Sequence, residues 1–141
     1  MNTENGIYTA TTTASMQRWH QMLADADLSQ LDVLLHEDVV FRSPIAFKPY
    51  AGKAVVTFIL SNVIQVFEDF TYHREFYTPD QQSVVLEFSA HVGEKQLKGV
   101  DMIRFNDQGQ IVEFEVMIRS MSGLQALAEQ MGQRMQQFSI A

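Results

Sequence analysis

The stretch Gly99–Arg119, GVDMIRFNDQGQIVEFEVMIR, decides the fold. Two runs rich in β-branched and aromatic residues flank Asn106-Asp107-Gln108-Gly109, four residues of turn chemistry, so the stretch reads as an antiparallel hairpin. In its second arm Val112, Phe114, Val116 and Ile118 fall on one face, and Ile111, Glu113, Glu115 and Met117 on the other. In the first arm Asp101 shares parity with Leu97, Gly99, Ile103 and Phe105, which sets a carboxyl group in an apolar row. Desolvation there raises a carboxyl pKa, making Asp101 a candidate general acid or hydrogen-bond donor to a carbonyl. The alternative is that Asp101 merely bonds a buried backbone group, a tyrosine or the indole N–H of Trp19.

Working outward, FTYHREFYT (70–78), SVVLEFSAHV (83–92) and the run from Lys95 are further β-rich segments, separated by PDQQ and GE. They complete a four-stranded antiparallel meander. Before it, Val56, Ile59, Leu60, Val63, Ile64 and Phe67 form the broad apolar face of a helix from Lys53 to about Asp69. Lys48–Gly52 (KPYAG) is a turn, and DVVFRSP is a strand stopped by Pro44. Asp27 caps a short helix carrying Leu28, Leu31, Leu34 and Leu35; TTTAS (11–15) offers caps for a first helix with Met16, Trp19, Leu23 and Ala26 on one stripe. Beyond Ser120, Leu124, Leu127, Met131, Met135 and Phe138 repeat at helical spacing, a C-terminal helix fit to cover a sheet edge or an opening. With Met117 and Met121, its methionines suit an adaptable lid. Helices segregated from an antiparallel sheet define an α+β class.

The 141 residues hold 10 bases against 17 acids, a net charge of −7, so the basic footprint of a nucleic-acid binder is missing. At 46% hydrophobic and 19% charged residues, the composition fits one soluble domain over 1–141, with the polar residues 1–12 flexible. The absence of cysteine excludes disulfides, thiolate metal sites and a cysteine nucleophile. No basic segment precedes an apolar one at the N-terminus, so no secretory signal is read and the location expected is cytoplasmic. The most apolar window, Ala54–Phe67, falls short of the ~20 residues of a membrane span and is interrupted by Thr57, Ser61, Asn62 and Gln65. His20, His36 and His73 lack metal-ligand spacing and read as surface residues, so neither metal nor cofactor is expected. Glu87, Ser89 and His91 share a strand face that reads as outward, and Arg119 as half of a surface ion pair with Glu113 or Glu115.

The order helix, helix, strand, long helix, four strands resembles the nuclear transport factor 2-like superfamily, which includes SnoaL-like polyketide cyclases, ketosteroid isomerase and limonene-epoxide hydrolase. The resemblance covers about Ser15 to Arg119. It rests on WHQMLADADLSQLDVLLHEDVVFRSP (19–44), on PYAGK (49–53) opening the third helix, and on the hairpin. It implies a cone-shaped roll in which a curved, mostly antiparallel sheet wraps around helices and encloses an apolar cavity. It also implies a homodimer built on the outer sheet face, in keeping with SVVLEFSAHV, where Val84 and Val85 point to opposite sides.

In the register of ketosteroid isomerase, the proton-abstracting Asp falls on Ser43, a hydroxyl that needs activation to act as a base. The oxyanion-hole Tyr falls on Trp19, and its two supporting tyrosines fall on Leu35 and Leu60. The protonated acid of that oxyanion hole, kept neutral by an apolar site, falls on Asp101. The epoxide-hydrolase constellation is absent, since SVVLEFSAHV holds neither Arg nor Asp and the last-strand Asp falls on Val116. Three readings follow. One is a protein that binds a small hydrophobic molecule in a cavity lined by Trp19, Leu23, Phe41, Ser43, Leu60, Val63, Phe114, Val116 and Ile118, with Asp101 fixing its orientation. Another is an isomerase or cyclase in which Asp101 moves protons on an enolisable carbonyl. The third is a protein-binding adaptor, for which no exposed apolar run argues.

Overall fold

The structure, a computed structural model, describes residues 3–140, with side chains over 10–136. Its elements are α1 (Thr3–Ala24), α2 (Leu31–Leu34), β1 (Leu35–Arg42), β2 (Tyr50–Ala51), α3 (Lys53–Val66), β3 (Glu68–Tyr77), β4 (Ser83–Val92), β5 (Lys95–Phe105), β6 (Ile111–Arg119) and α4 (Met121–Ile140). The strands form one curved, unclosed six-stranded sheet in the order β2-β1-β6-β5-β4-β3. Neighbours are antiparallel except β1 and β6, which run parallel because the chain enters the sheet through β1 and returns beside it only after the meander. The fold is α+β.

Element boundaries and one strand register differ from the sequence reading. α1 starts at Thr3, so TTTAS lies inside the helix instead of capping it; of the first dozen residues, read as flexible, those from Thr3 on are helical and the first two lie outside the described residues. α2 is a single turn, and Asp27 accepts the Ser29 amide in a turn that precedes it. KPYAG contains the short strand β2, and α3 ends at Val66, because β3 begins at Glu68. In β6 the pairing steps from Arg104↔Glu113 to Phe105↔Ile111, so Val112 is the extra residue of a bulge. Ile111, placed outward by strict alternation, is therefore fully buried.

One sheet face carries the core. Val84, Leu86 and Phe88 of β4, Ile103 and Phe105 of β5 and Phe114 of β6 pack against Met16 and Trp19 of α1, Ile59 and Leu60 of α3, and Leu127 and Met131 of α4. Each fully buried Phe or Leu contributes on the order of 1.5–3 kcal/mol relative to exposure. Gly99 lies opposite Phe88, and a Cβ there would stand 2.7 Å from the Phe88 ring and clash with the Met117 carbonyl oxygen. Only glycine admits that close approach. Two hydroxyls tie α1 to the hairpin turns: Ser15 donates to the Gly109 carbonyl at 2.5 Å and Thr12 to the Gln81 carbonyl at 2.8 Å. The helix is thereby laid across the sheet with Trp19 facing inward.

Candidate functional site

Asp101 projects from the middle of β5, between Leu86 of β4 and Val116 of β6, toward the helices. It is 6% exposed. A hydrogen-bond chain ends on it: the Trp19 indole N–H donates to the Tyr72 hydroxyl at 2.9 Å, and that hydroxyl donates to Asp101 Oδ2 at 2.6 Å. Both donors run in one direction, so the chain leaves Oδ1 as the position for a carboxyl proton. Oδ1 meets no hydrogen-bond partner among the described residues, and no buried side-chain oxygen or nitrogen among them is left unsatisfied. Oδ1 therefore opens on the adjoining cavity.

That cavity has a volume of about 270 Å³. Its walls are Trp19, Leu23, Phe41, Leu60, Val63, Phe67, Phe70, Phe114 and Val116, with Tyr72, Asp101 and His20 as its titratable groups. Aromatic rings fix its shape: Phe70 stacks on Phe88 at 4.9 Å between centroids and meets Tyr72 edge-on at 4.8 Å, while Trp19 meets Phe114 edge-on at 5.4 Å. Removal from water dominates the electrostatics. It pushes the Asp101 carboxyl up to about 7, against a smaller lowering by the Tyr72 hydrogen bond. Burial, then the neighbouring Asp101, hold the Tyr72 hydroxyl well above its ordinary value, so Tyr72 stays a donor.

The structure brings together Trp19, Leu23, Phe41, Leu60, Val63, Asp101, Phe114 and Val116 from the residues singled out in the sequence. Two lie elsewhere. Ser43 Oγ accepts the Ile45 and Ala46 amides at 2.9 and 3.4 Å and lines a neighbouring cavity, because the turn after Pro44 draws it away from Asp101. Ile118 packs over Gly99, outside the cavity walls. His20, read as a surface residue, lines the cavity mouth: its ring stands edge-on to Tyr72 at 5.4 Å and its Nε2 lies 3.1 Å from Glu75 Oε1. Tyr72 was not singled out. A buried carboxyl demands a donor, and Tyr72 shares parity with Phe70; pairing irregularities on both sides of residues 71–72 blur that register in the sequence.

The other polar candidates sit on the opposite face. Glu87 is gripped by Arg74, with Lys98 Nζ at 3.4 Å, and the Arg74 hydrogen bonds hold it down to about 2. Ser89 meets His73 at 2.7 Å, and His91 meets Asp69 at 2.7 Å, which raises the His91 pKa. Glu113 is met by Arg42 and Arg104, at 3.8 and 3.7 Å, and not by Arg119. Among the described residues no three His, Asp or Glu side chains are grouped to hold a metal, and no helix is long and apolar enough to cross a membrane.

A curved open sheet with helices closing one face is the architecture of the nuclear transport factor 2-like class. Within it, the profile of the SnoaL-like domain matches residues 16–114, and the chain belongs to that family. A crystal structure named a steroid delta-isomerase from Pseudomonas aeruginosa is 59% identical, with 94% of this chain and 96% of that one covered at a TM-score of 0.90. An uncharacterized protein with a cystatin-like fold from Silicibacter pomeroyi is 36% identical over 85% and 84% of the two chains, at a TM-score of 0.79. A nuclear transport factor 2-like protein of unknown function from Mesorhizobium loti, 18% identical over 79% and 93% at a TM-score of 0.70, shares the fold alone. No curated protein matches the chain.

Proposed function

We propose that the protein binds a small apolar carbonyl compound, whose oxygen accepts a hydrogen bond from Asp101 and whose body fills the aromatic cavity. The observation that carries this reading is the Asp101 carboxyl, 6% exposed, bonded through Oδ2 alone among the described residues, and lining an otherwise apolar cavity. A carboxyl whose pKa burial pushes up to about 7 keeps its proton in about half of the molecules at neutral pH, where an ordinary carboxyl is almost wholly ionised. Trp19 is the single tryptophan of the chain and is 3% exposed, so its emission reports occupancy. Titration with a steroid ketone and a monoterpene ketone is expected to change Trp19 emission saturably, and Asp101→Leu to weaken both. Emission indifferent to every apolar ketone refutes the reading.

A second reading, isomerisation or cyclisation, is supported by His20 and by the name of the 59% identical structure. Enolising a ketone requires a base at the α-carbon and a donor at the oxygen. Asp101 supplies the donor. With Ser43 turned away, His20 is the titratable side chain at the cavity that remains to act as base; when Nε2–H donates to Glu75, the lone pair sits on Nδ1. The proton taken from the α-carbon is returned at the far end of the dienolate, and the conjugated enone leaves. Appearance of conjugated-enone absorbance from an unconjugated steroid enone tests this step.

We also propose that the outer sheet face is covered by a second copy of the chain. Phe76, Met102 and Met117 stand 52%, 38% and 50% exposed on it. Around them the charges are paired within the chain, Glu87 with Arg74 and Lys98 and Glu113 with Arg42 and Arg104, which leaves the apolar side chains to carry the contact. Sedimentation equilibrium should show a dimer at micromolar concentration; a 16.1 kDa species alone contradicts it.

A further inference from the structure

Beside the site lies a second apolar cavity of about 190 Å³, enclosed between α3, α4 and the turn after β1. Phe41, Pro44 and Val63 line it on one side and line the Asp101 cavity on the other. Its remaining wall is the inner face of α4, where Leu127, Ala128 and Met131 turn toward Ile59. Two facts bear on its use. The first cavity, at about 270 Å³, falls just below the ~300–1,000 Å³ usual for small-molecule sites, whereas the two together fall inside that range. Of the three shared side chains, Phe41 is the largest, 4% exposed with its ring 5.8 Å from that of Phe114, and it forms the partition between the two cavities.

We propose that the two cavities form one elongated site, which selects long apolar ketones whose carbonyl sits at Asp101 and whose hydrocarbon tail passes Phe41 to lie beneath α4. The inference rests on the binding reading above and adds the ligand's length to it. The flexible Met131 thioether at the far wall lets the tail end vary in shape.

The test measures dissociation constants by Trp19 emission for the straight-chain ketones 2-hexanone through 2-tetradecanone, on the full-length protein and on two variants that narrow the second cavity, Ala128→Leu and Gly132→Leu. Gly132 lies at its rim, and a Cβ there meets nothing within 4 Å, so this variant is built to fold. Affinity of the native protein should rise roughly fourfold per methylene to the longest members. In the variants the rise should stop partway, with the long ketones bound at least tenfold more weakly and the short ones within twofold of native. If short and long ketones bind and neither variant separates them, the second cavity is a packing void and this inference falls while the binding reading stands. If no ketone of any length binds, the binding reading falls and takes the extension with it.

Discussion

Asp101 and Glu87 are near neighbours on adjacent strands, Asp101 opposite Leu86 and Glu87 opposite Val100, yet they face opposite sides of the sheet and titrate in opposite directions. Asp101 is surrounded by aromatic rings with one hydroxyl donor, and removal from water pushes it up to about 7. Glu87 is hydrogen-bonded by the Arg74 guanidinium, with Lys98 close by, and is held down to about 2. The acidic group is the same and the strands are shared. Their exposure is nearly equal, 6% and 8%, and what differs is the company each face supplies: apolar side chains and helices on one, cations on the other. A carboxyl becomes a proton donor at neutral pH by lacking a cation, and the inner face supplies none.

The largest test of this contrast is the pH dependence of stability. A group whose folded pKa is raised contributes stability that is full below its unfolded value and lost as pH rises through the folded value. For Asp101 the window runs from about 4 to about 7, and the contribution at stake is on the order of 4 kcal/mol. Denaturant midpoints across that window should fall with rising pH in the native protein and lose most of that slope in Asp101→Asn. An unchanged slope in the variant would assign the fall to other groups.

Next in size is His20→Gln, aimed at the histidine that lines the cavity and meets the Glu75 carboxylate. Under the isomerase reading turnover should drop ~10²-fold or more while ketone binding stays within a few-fold. Equal losses in both would make His20 a binding residue instead.

The strand between the two faces has its own weak point. Gly99→Ala places a methyl against the Met117 carbonyl and the Phe88 ring, and overpacking of this kind costs about 1–3 kcal/mol. Phe88→Leu added to it should relieve the ring contact but not the carbonyl contact, leaving the double variant below native in thermal unfolding.

Much of this architecture is legible in the chain. The hairpin around Asn106–Gly109, the four β-rich runs and the apolar face of α3 announce themselves by period, and the parity of Asp101 with Ile103 and Phe105 announces its burial. Whatever depends on a break in the period is hidden. The bulge at Val112 exchanges its place with Ile111, and the irregular pairing around Tyr72 conceals the donor that Asp101 requires. His20 does lie at the surface, 42% of its side chain exposed, but helical spacing gives no sign of the cavity beside it, because it is the curved sheet that brings Glu75 and Tyr72 round to meet it. Sheet curvature is a tertiary property, and no local pattern records it. Ser43 shows the converse, since homologous register places it in the site but the turn at Pro44, with Oγ capping two amides, removes it.

The smallest effect is expected from Glu87, and its sign makes it informative. A group whose folded pKa is depressed contributes stability that is present above its unfolded value, near 4.5, and lost as pH falls through the folded value, near 2. Glu87→Gln should therefore leave the midpoint almost unmoved near pH 2 and lower it slightly above pH 5, the reverse of the Asp101→Asn window. Arg74 is largely exposed, so water and salt screen the pair and the difference should shrink further at 1 M salt. Asp101, away from salt, should keep its slope there. If added salt erased both slopes alike, the Asp101 slope would come from charges that ions screen and not from removal from water, and the dry cavity on which the ketone reading depends would not exist.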